Sequence, residues 1–204
     1  MQDRPSGGGS SAAGEILATI AIPAFDRPDC LARLLRSIDT PTASIEVLVC
    51  EDQSPSRQEI QSVVSEFKSQ SPIPVRYYEN DLNQGFDANV RQLLGLAHGH
   101  FTIFMGDDDY FLPDQLGSYL AFLESNLDVG YVLRSYVGET PDGTCEEFRY
   151  LKENAWFPPS VETAAWMYKR SVSLAGYTIA TSLAQDLASE SVDGTLLYQV
   201  FVMT

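Results

Sequence analysis

The chain has 204 residues, 44% of them hydrophobic and 20% charged, and a formal net charge of −15. That length allows one domain, or one and part of another, with a substantial core, and the composition excludes a chain disordered throughout. The charge disfavours nucleic acid and anionic membrane surfaces as non-specific partners, so a phosphate ligand needs a local cation.

Residues 1–15, with their Gly-Gly-Gly-Ser-Ser run, read as a flexible tail: they lack the basic-then-apolar profile of a signal peptide, and no strand precedes or Lys follows to make a phosphate loop. Strands are predicted over residues 16–25, 45–51, 75–79, 100–105 and 130–136. Four helices are predicted between them, each with apolar residues at i, i+3, i+4 and i+7. The stripes are Leu31, Leu34, Leu35, Ile38; then Ile60, Val63, Val64, Phe67; then Val90, Leu93, Leu94, Ala97; then Leu116, Tyr119, Leu120, Leu123. Pro28 and Pro113 suit first helical positions, and Ser56 with Glu59 makes a capping-box pattern. Strand and helix in alternation imply an α/β fold with a mostly parallel sheet. Beyond residue 136 the regularity fades through a polar loop into an aromatic, proline-containing stretch, so 16–136 and 137–204 read as two subregions. Cys30, Cys50 and Cys145 are odd in number and widely spaced, which reads as reduced thiols in a cytoplasmic protein. No stretch approaches the ~18 consecutive apolar residues of a membrane span.

The acidic residues cluster at predicted strand ends, where open parallel sheets bind ligands. The first strand runs into Asp26, the second into Glu51 and Asp52, and the fourth into Asp107, Asp108 and Asp109. Adjacent carboxylates repel, and a divalent cation relieves that repulsion. Oxygen donors without Cys or His suit Mg2+ or Mn2+, which take one or two carboxylates and leave other positions to water and phosphates.

Four segments in order resemble family 2 glycosyltransferases of the GT-A fold: "IAIPAFDRPDCLARLLRSI", "IEVLVCEDQS", "NDLNQGFDANVRQLLGLAHGHF" and "FMGDDDYFLPDQL". The resemblance is good over residues 16–125 and weak beyond. It implies a metal-dependent enzyme that moves a sugar from a nucleotide-diphosphate donor, UDP favoured, to a hydroxyl of a glycan or glycoconjugate, with inversion. By the same resemblance Pro23, Ala24 and Phe25 line the nucleotide pocket, Asp52 bonds the base, Asp107 the ribose, and Asp108, with Asp109, the metal of the DXD motif. Asn83, Gly85 and Asn89 shape the wall. Gly106, Glu51 and Gln53 stand where many members have Asp, Asp and Gly, which leaves open which aspartate touches the metal. The base is expected after the metal motif, at Asp193, with Asp186 and Glu190 as rivals. Trp156 and Trp166, with Tyr150, Phe157 and Tyr168, suit core packing or stacking on an acceptor sugar. The chain stops at Thr204 inside a helical pattern, which reads as a fragment lacking part of its acceptor region. The alternatives are a non-catalytic nucleotide-sugar or carbohydrate-binding relative, and a phosphoryl-transfer or receiver domain.

Overall fold

The computed structural model describes residues 15–40, 44–140, 142–168, 173–196 and 198–201. The expected N-terminal tail, Glu15 apart, lies outside them. The first half alternates as predicted: β1 (Ala18–Ala24), α1 (Pro28–Arg36), β2 (Ile45–Glu51), α2 (Arg57–Gln70), β3 (Val75–Glu79), α3 (Phe86–Leu96), β4 (Phe101–Phe104) and α4 (Gln115–Glu124). There follow β5 (Tyr131–Leu133), β6 (Tyr136–Glu139), β7 (Cys145–Phe148), α5 (Val161–Tyr168), β8 (Tyr177–Ala180), α6 (Thr181–Asp186) and α7 (Tyr198–Phe201).

Among the described residues six strands form one sheet in the order β3-β2-β1-β4-β8-β5. β1 pairs in parallel with β2 and β4, and β2 with β3, whereas β8 runs antiparallel to both β4 and β5. The period of two along each strand divides the core between the two faces. Ile45, Val47 and Val49 of β2 pack with the stripes of α1, α2 and α4 on one face. Leu48 and Cys50 pack with Val90, Leu93 and Leu94 of α3, together with Tyr177 and Tyr198, on the other. Cys50 is wholly buried, and burial pushes its thiol up to about 12, which makes it inert at neutral pH.

Some local expectations are corrected. The strand expected over 130–136 splits: β5 stays in the main sheet, whereas β6 leaves it to pair with β7. The polar loop beyond residue 136 is therefore a hairpin, its turn held by Asp142 Oδ1, which accepts from the Thr140 hydroxyl at 2.5 Å and Thr144 N at 3.0 Å. Pro28 does begin α1, but α4 begins at Gln115, because Asp114 takes a left-handed φ of 61° between Pro113 and the helix. Ser56 precedes α2 without capping it, since its hydroxyl donates to the Asp26 carboxylate at 2.6 Å. β8 has no counterpart in the sequence reading.

Gly99 lies where the chain enters β4 and donates to Thr19 Oγ1 at 2.9 Å. A Cβ there would stand 2.4 Å from Thr19 N and 2.5 Å from the Ala18 carbonyl carbon, both backbone. Gly99→Ala is therefore expected to destabilise the fold by about 3 kcal/mol, at the upper end of overpacking costs. Urea unfolding measures this, and an unchanged midpoint would show that the β1 backbone can yield.

Candidate active site

The chain builds β1, β2 and β3 outward in one direction and then crosses back to place β4 on the other side of β1. At such a reversal the loops from neighbouring strand ends part and leave a crevice. Pairing between β1 and β4 stops at Ala21 and Phe104, so Pro23, without an amide hydrogen, meets no strand on that side. Beyond this point lies a cavity of about 530 Å³. Its lining includes Pro23, Ala24, Phe25 and Asp52, the triplet Asp107 to Asp109, and Asn83, Gly85 and Asn89. All the residues expected at the donor pocket thus meet on one crevice.

Their immediate partners differ from one another. Asp107 is buried, and its Oδ2 accepts from Phe25 N at 2.9 Å, tying the end of β1 to the end of β4. Burial pushes its carboxyl up to about 6, against the lowering effects of the Phe25 amide and the Arg27 guanidinium. Asp108 is exposed and meets Arg27 Nη1 through Oδ2 at 2.5 Å, while the same nitrogen stands 3.1 Å from Asp107 Oδ1. Asp109, expected beside Asp108 at the metal, turns back into its own loop, where Oδ2 accepts from Gly106 N at 2.9 Å. Its carboxyl is raised by burial. A side chain at Gly106 would meet Asp109 Oδ2 at 2.8 Å and Asp108 Oδ1 at 2.9 Å, so glycine leaves room for both carboxylates.

Asp52 is nearly buried and accepts three hydrogen bonds, from Asn80 Nδ2 at 2.8 Å, Gln84 N at 2.9 Å and Gly85 N at 2.8 Å. A carboxylate offers about four lone-pair positions, so Asp52 positions the loop before α3 with one such position left. Gly85 there has φ 85°, a conformation that suits glycine. Glu51 is spent wholly on structure: it accepts from Ser54 N at 2.5 Å and from Arg57 Nε at 2.6 Å. Neither Glu51 nor Asp26 is among the lining residues.

The sequence reading passed over Arg27, and also Arg134. Arg134 Nη2 donates to the carbonyls of Phe104 and Ala175, pinning the end of β4 to the turn beside Ser173 and Leu174, which also line the cavity. Burial lowers its pKa, and the guanidinium lies 5.0 Å from the Tyr119 ring centre.

Asp193 falls outside this lining. It ends a short 3-10 turn before Gly194, and its Oδ2 lies 2.6 Å from Arg91 Nη2 on α3. Its rival Glu190 lies 3.6 Å from the same guanidinium. The aromatic residues beyond β7 line a second cavity of about 1330 Å³, where Phe157 stacks on Trp166 with ring centres 5.0 Å apart. They are not core: Trp156 and Phe157 are 39% and 40% exposed.

The architecture is that of the GT-A class. It is shared with the S. aureus TarS fragment 1–349, at 17% identity and a TM-score of 0.68, over 92% of this chain and 54% of that one. That fragment has also been solved in complex with UDP. The mannosyltransferase PcManGT of Pyrobaculum calidifontis, solved in complex with GDP-Man and Mn2+, is similar at 14% identity and a TM-score of 0.58, over 97% and 55% of the two chains. In sequence, the chain is 25% identical over 115 residues to the abequosyltransferase RfbV of Salmonella typhimurium, covering 56% of this chain and 34% of that protein. The model of glycosyl transferase family 2 matches residues 19–172, and the chain belongs to that family. It spans about a third of the length of RfbV and about half that of the two structural neighbours. No helix among the described residues is long and apolar enough to cross a membrane.

Proposed function

We propose that the chain transfers a sugar from a nucleotide-diphosphate donor, with uridine the favoured base, to a hydroxyl of a glycan or glycoconjugate, with inversion at the anomeric carbon. The observation that carries this reading is the crevice between β1 and β4, where Asp52 from the end of β2 meets Asp107 and Asp108 from the loop after β4. Family membership supports the reaction class, and the neighbours solved with UDP and with GDP-Man support the donor class.

The residues fit a divalent ion. Asp107 Oδ1 and Asp108 Oδ2 already approach one cationic nitrogen together. No group of three His, Cys, Asp or Glu side chains converges among the described residues, so an ion on these two carboxylates would need water and phosphate oxygens to complete it. Mg2+ or Mn2+ would be held by Asp108 with Asp107, and it would supply Lewis-acid stabilisation to the departing diphosphate. Asp109, fixed on Gly106 N, would keep the loop in shape. Pro23, Ala24 and Phe25 give the base an apolar wall, the free lone pair of Asp52 takes a donor on the base, and Asp107 is within the same crevice for the ribose. The acceptor hydroxyl must lose a proton as it attacks. Asp193 is the candidate for that step once it parts from Arg91. Residues 16–136, with Ser173 and Leu174, thus hold the donor, and the rest of 137–204 the acceptor side.

Calorimetric titration with UDP, TDP, GDP and ADP, each with Mn2+ and again with chelator, tests the reading. One nucleotide is expected to bind, and to be lost with chelator. A folded chain that binds none of them overturns it.

A further inference from the structure

The crevice already contains a cation. The guanidinium of Arg27 bridges Asp107 and Asp108, at 3.1 and 2.5 Å from a single nitrogen. Among the described residues lining the cavity it is the one cationic side chain, facing four aspartates. Its backbone is restricted just before Pro28, at the start of α1, while its side chain is 51% exposed. A divalent ion bound to those same two oxygens would take the lone pairs that Arg27 now uses and would repel it. The freed guanidinium would then stand on the rim of an acidic crevice at the moment an anionic diphosphate enters, and a guanidinium pairs well with phosphate oxygens.

From this geometry we infer that Arg27 is an exchange cation: it bridges Asp107 and Asp108 until metal and nucleotide bind, and then passes to the donor diphosphate. This rests on the reading that the crevice takes a nucleoside diphosphate with a metal. It makes Arg27 a competitor for the metal and a partner for the nucleotide, so its removal has effects of opposite sign on the two. It also couples the two ligands, because each helps to release the group that the other needs displaced or engaged.

The test is the variant Arg27→Met, which keeps side-chain length without charge, titrated with Mn2+ alone and then with UDP and UMP at saturating Mn2+. Mn2+ alone is expected to bind about fivefold more tightly, UDP about tenfold more weakly, and UMP with less than about a threefold change. Arg27→Lys, which keeps the charge but not the fork, is expected to recover part of the UDP affinity. Equal changes of the same sign for Mn2+ and UDP, or no change in either, overturn the exchange role. If wild-type protein itself binds no nucleotide with Mn2+, it is the donor-site reading that fails. Wild-type binding with unaltered Arg27→Met affinities sinks the exchange role alone.

Discussion

Asp108→Asn is expected to weaken Mn2+-dependent binding of the donor nucleotide about a hundredfold and to leave the fold unchanged. The two halves of this expectation have separate causes. Asp108 has a side chain 56% exposed, and its partner Arg27 is 51% exposed. A bridge between two such groups is worth about 0–1 kcal/mol, so its loss leaves the urea midpoint nearly where it was. The carboxylate charge, by contrast, is what a hard divalent ion requires, and an amide oxygen of the same shape is a far weaker ligand. Binding should then lose its sensitivity to chelator. A variant whose affinity still falls on adding chelator, by the same factor as wild type, would show that the metal is held elsewhere.

Asp52→Ala is expected to act the other way round, through structure first. The residue is 4% exposed, and its carboxylate carries the Asn80 amide and the Gln84 and Gly85 backbone amides. Removing it leaves Asn80 Nδ2, after β3, and Gln84 N, before α3, without that acceptor, while Gly85 N keeps only Asn83 Oδ1 at 3.0 Å. Hydrogen bonds to a charged group contribute about 1.5–3 kcal/mol each, and losses within one network do not add in full. A destabilisation of about 3–5 kcal/mol is expected by urea unfolding, together with loss of nucleotide binding, because the loop carrying Asn83 and Gly85 is no longer held against the crevice. Asp52→Asn keeps one oxygen and is expected to recover about half of the stability. If Asp52→Ala unfolds at the wild-type midpoint, the loop is held by other contacts and Asp52 serves the ligand alone.

The first half of the fold is legible in the sequence because each helix stripe meets a strand of alternating faces, and both signals are local. β8 is not legible. Its four residues, Tyr177–Ala180, carry no pattern that marks them, and they are a strand because β4 and β5 leave a slot between them. β6 and β7 were hidden for a related reason: their residues are mostly exposed, so no buried stripe announces them. At the site, the aspartates are legible because strand ends in an open sheet have predictable positions. Arg27 is not, since an arginine before a proline at a helix start looks like ordinary surface until β1 and β4 are laid side by side. The same holds for Arg91, whose pairing with Asp193 joins residues 102 positions apart.

The late arrival of β8 has a consequence for how the protein is made. β4 is complete at Phe104, yet the strand that covers its outer side ends at Ala180. During synthesis the growing chain must therefore carry β4 with an open edge while some seventy-five further residues are added, which takes about 4–15 s at common elongation rates. Open edges recruit other chains. A ribosome-bound nascent chain that stops before Tyr177 should thus engage chaperones, or aggregate, until β8 emerges and covers the edge of β4.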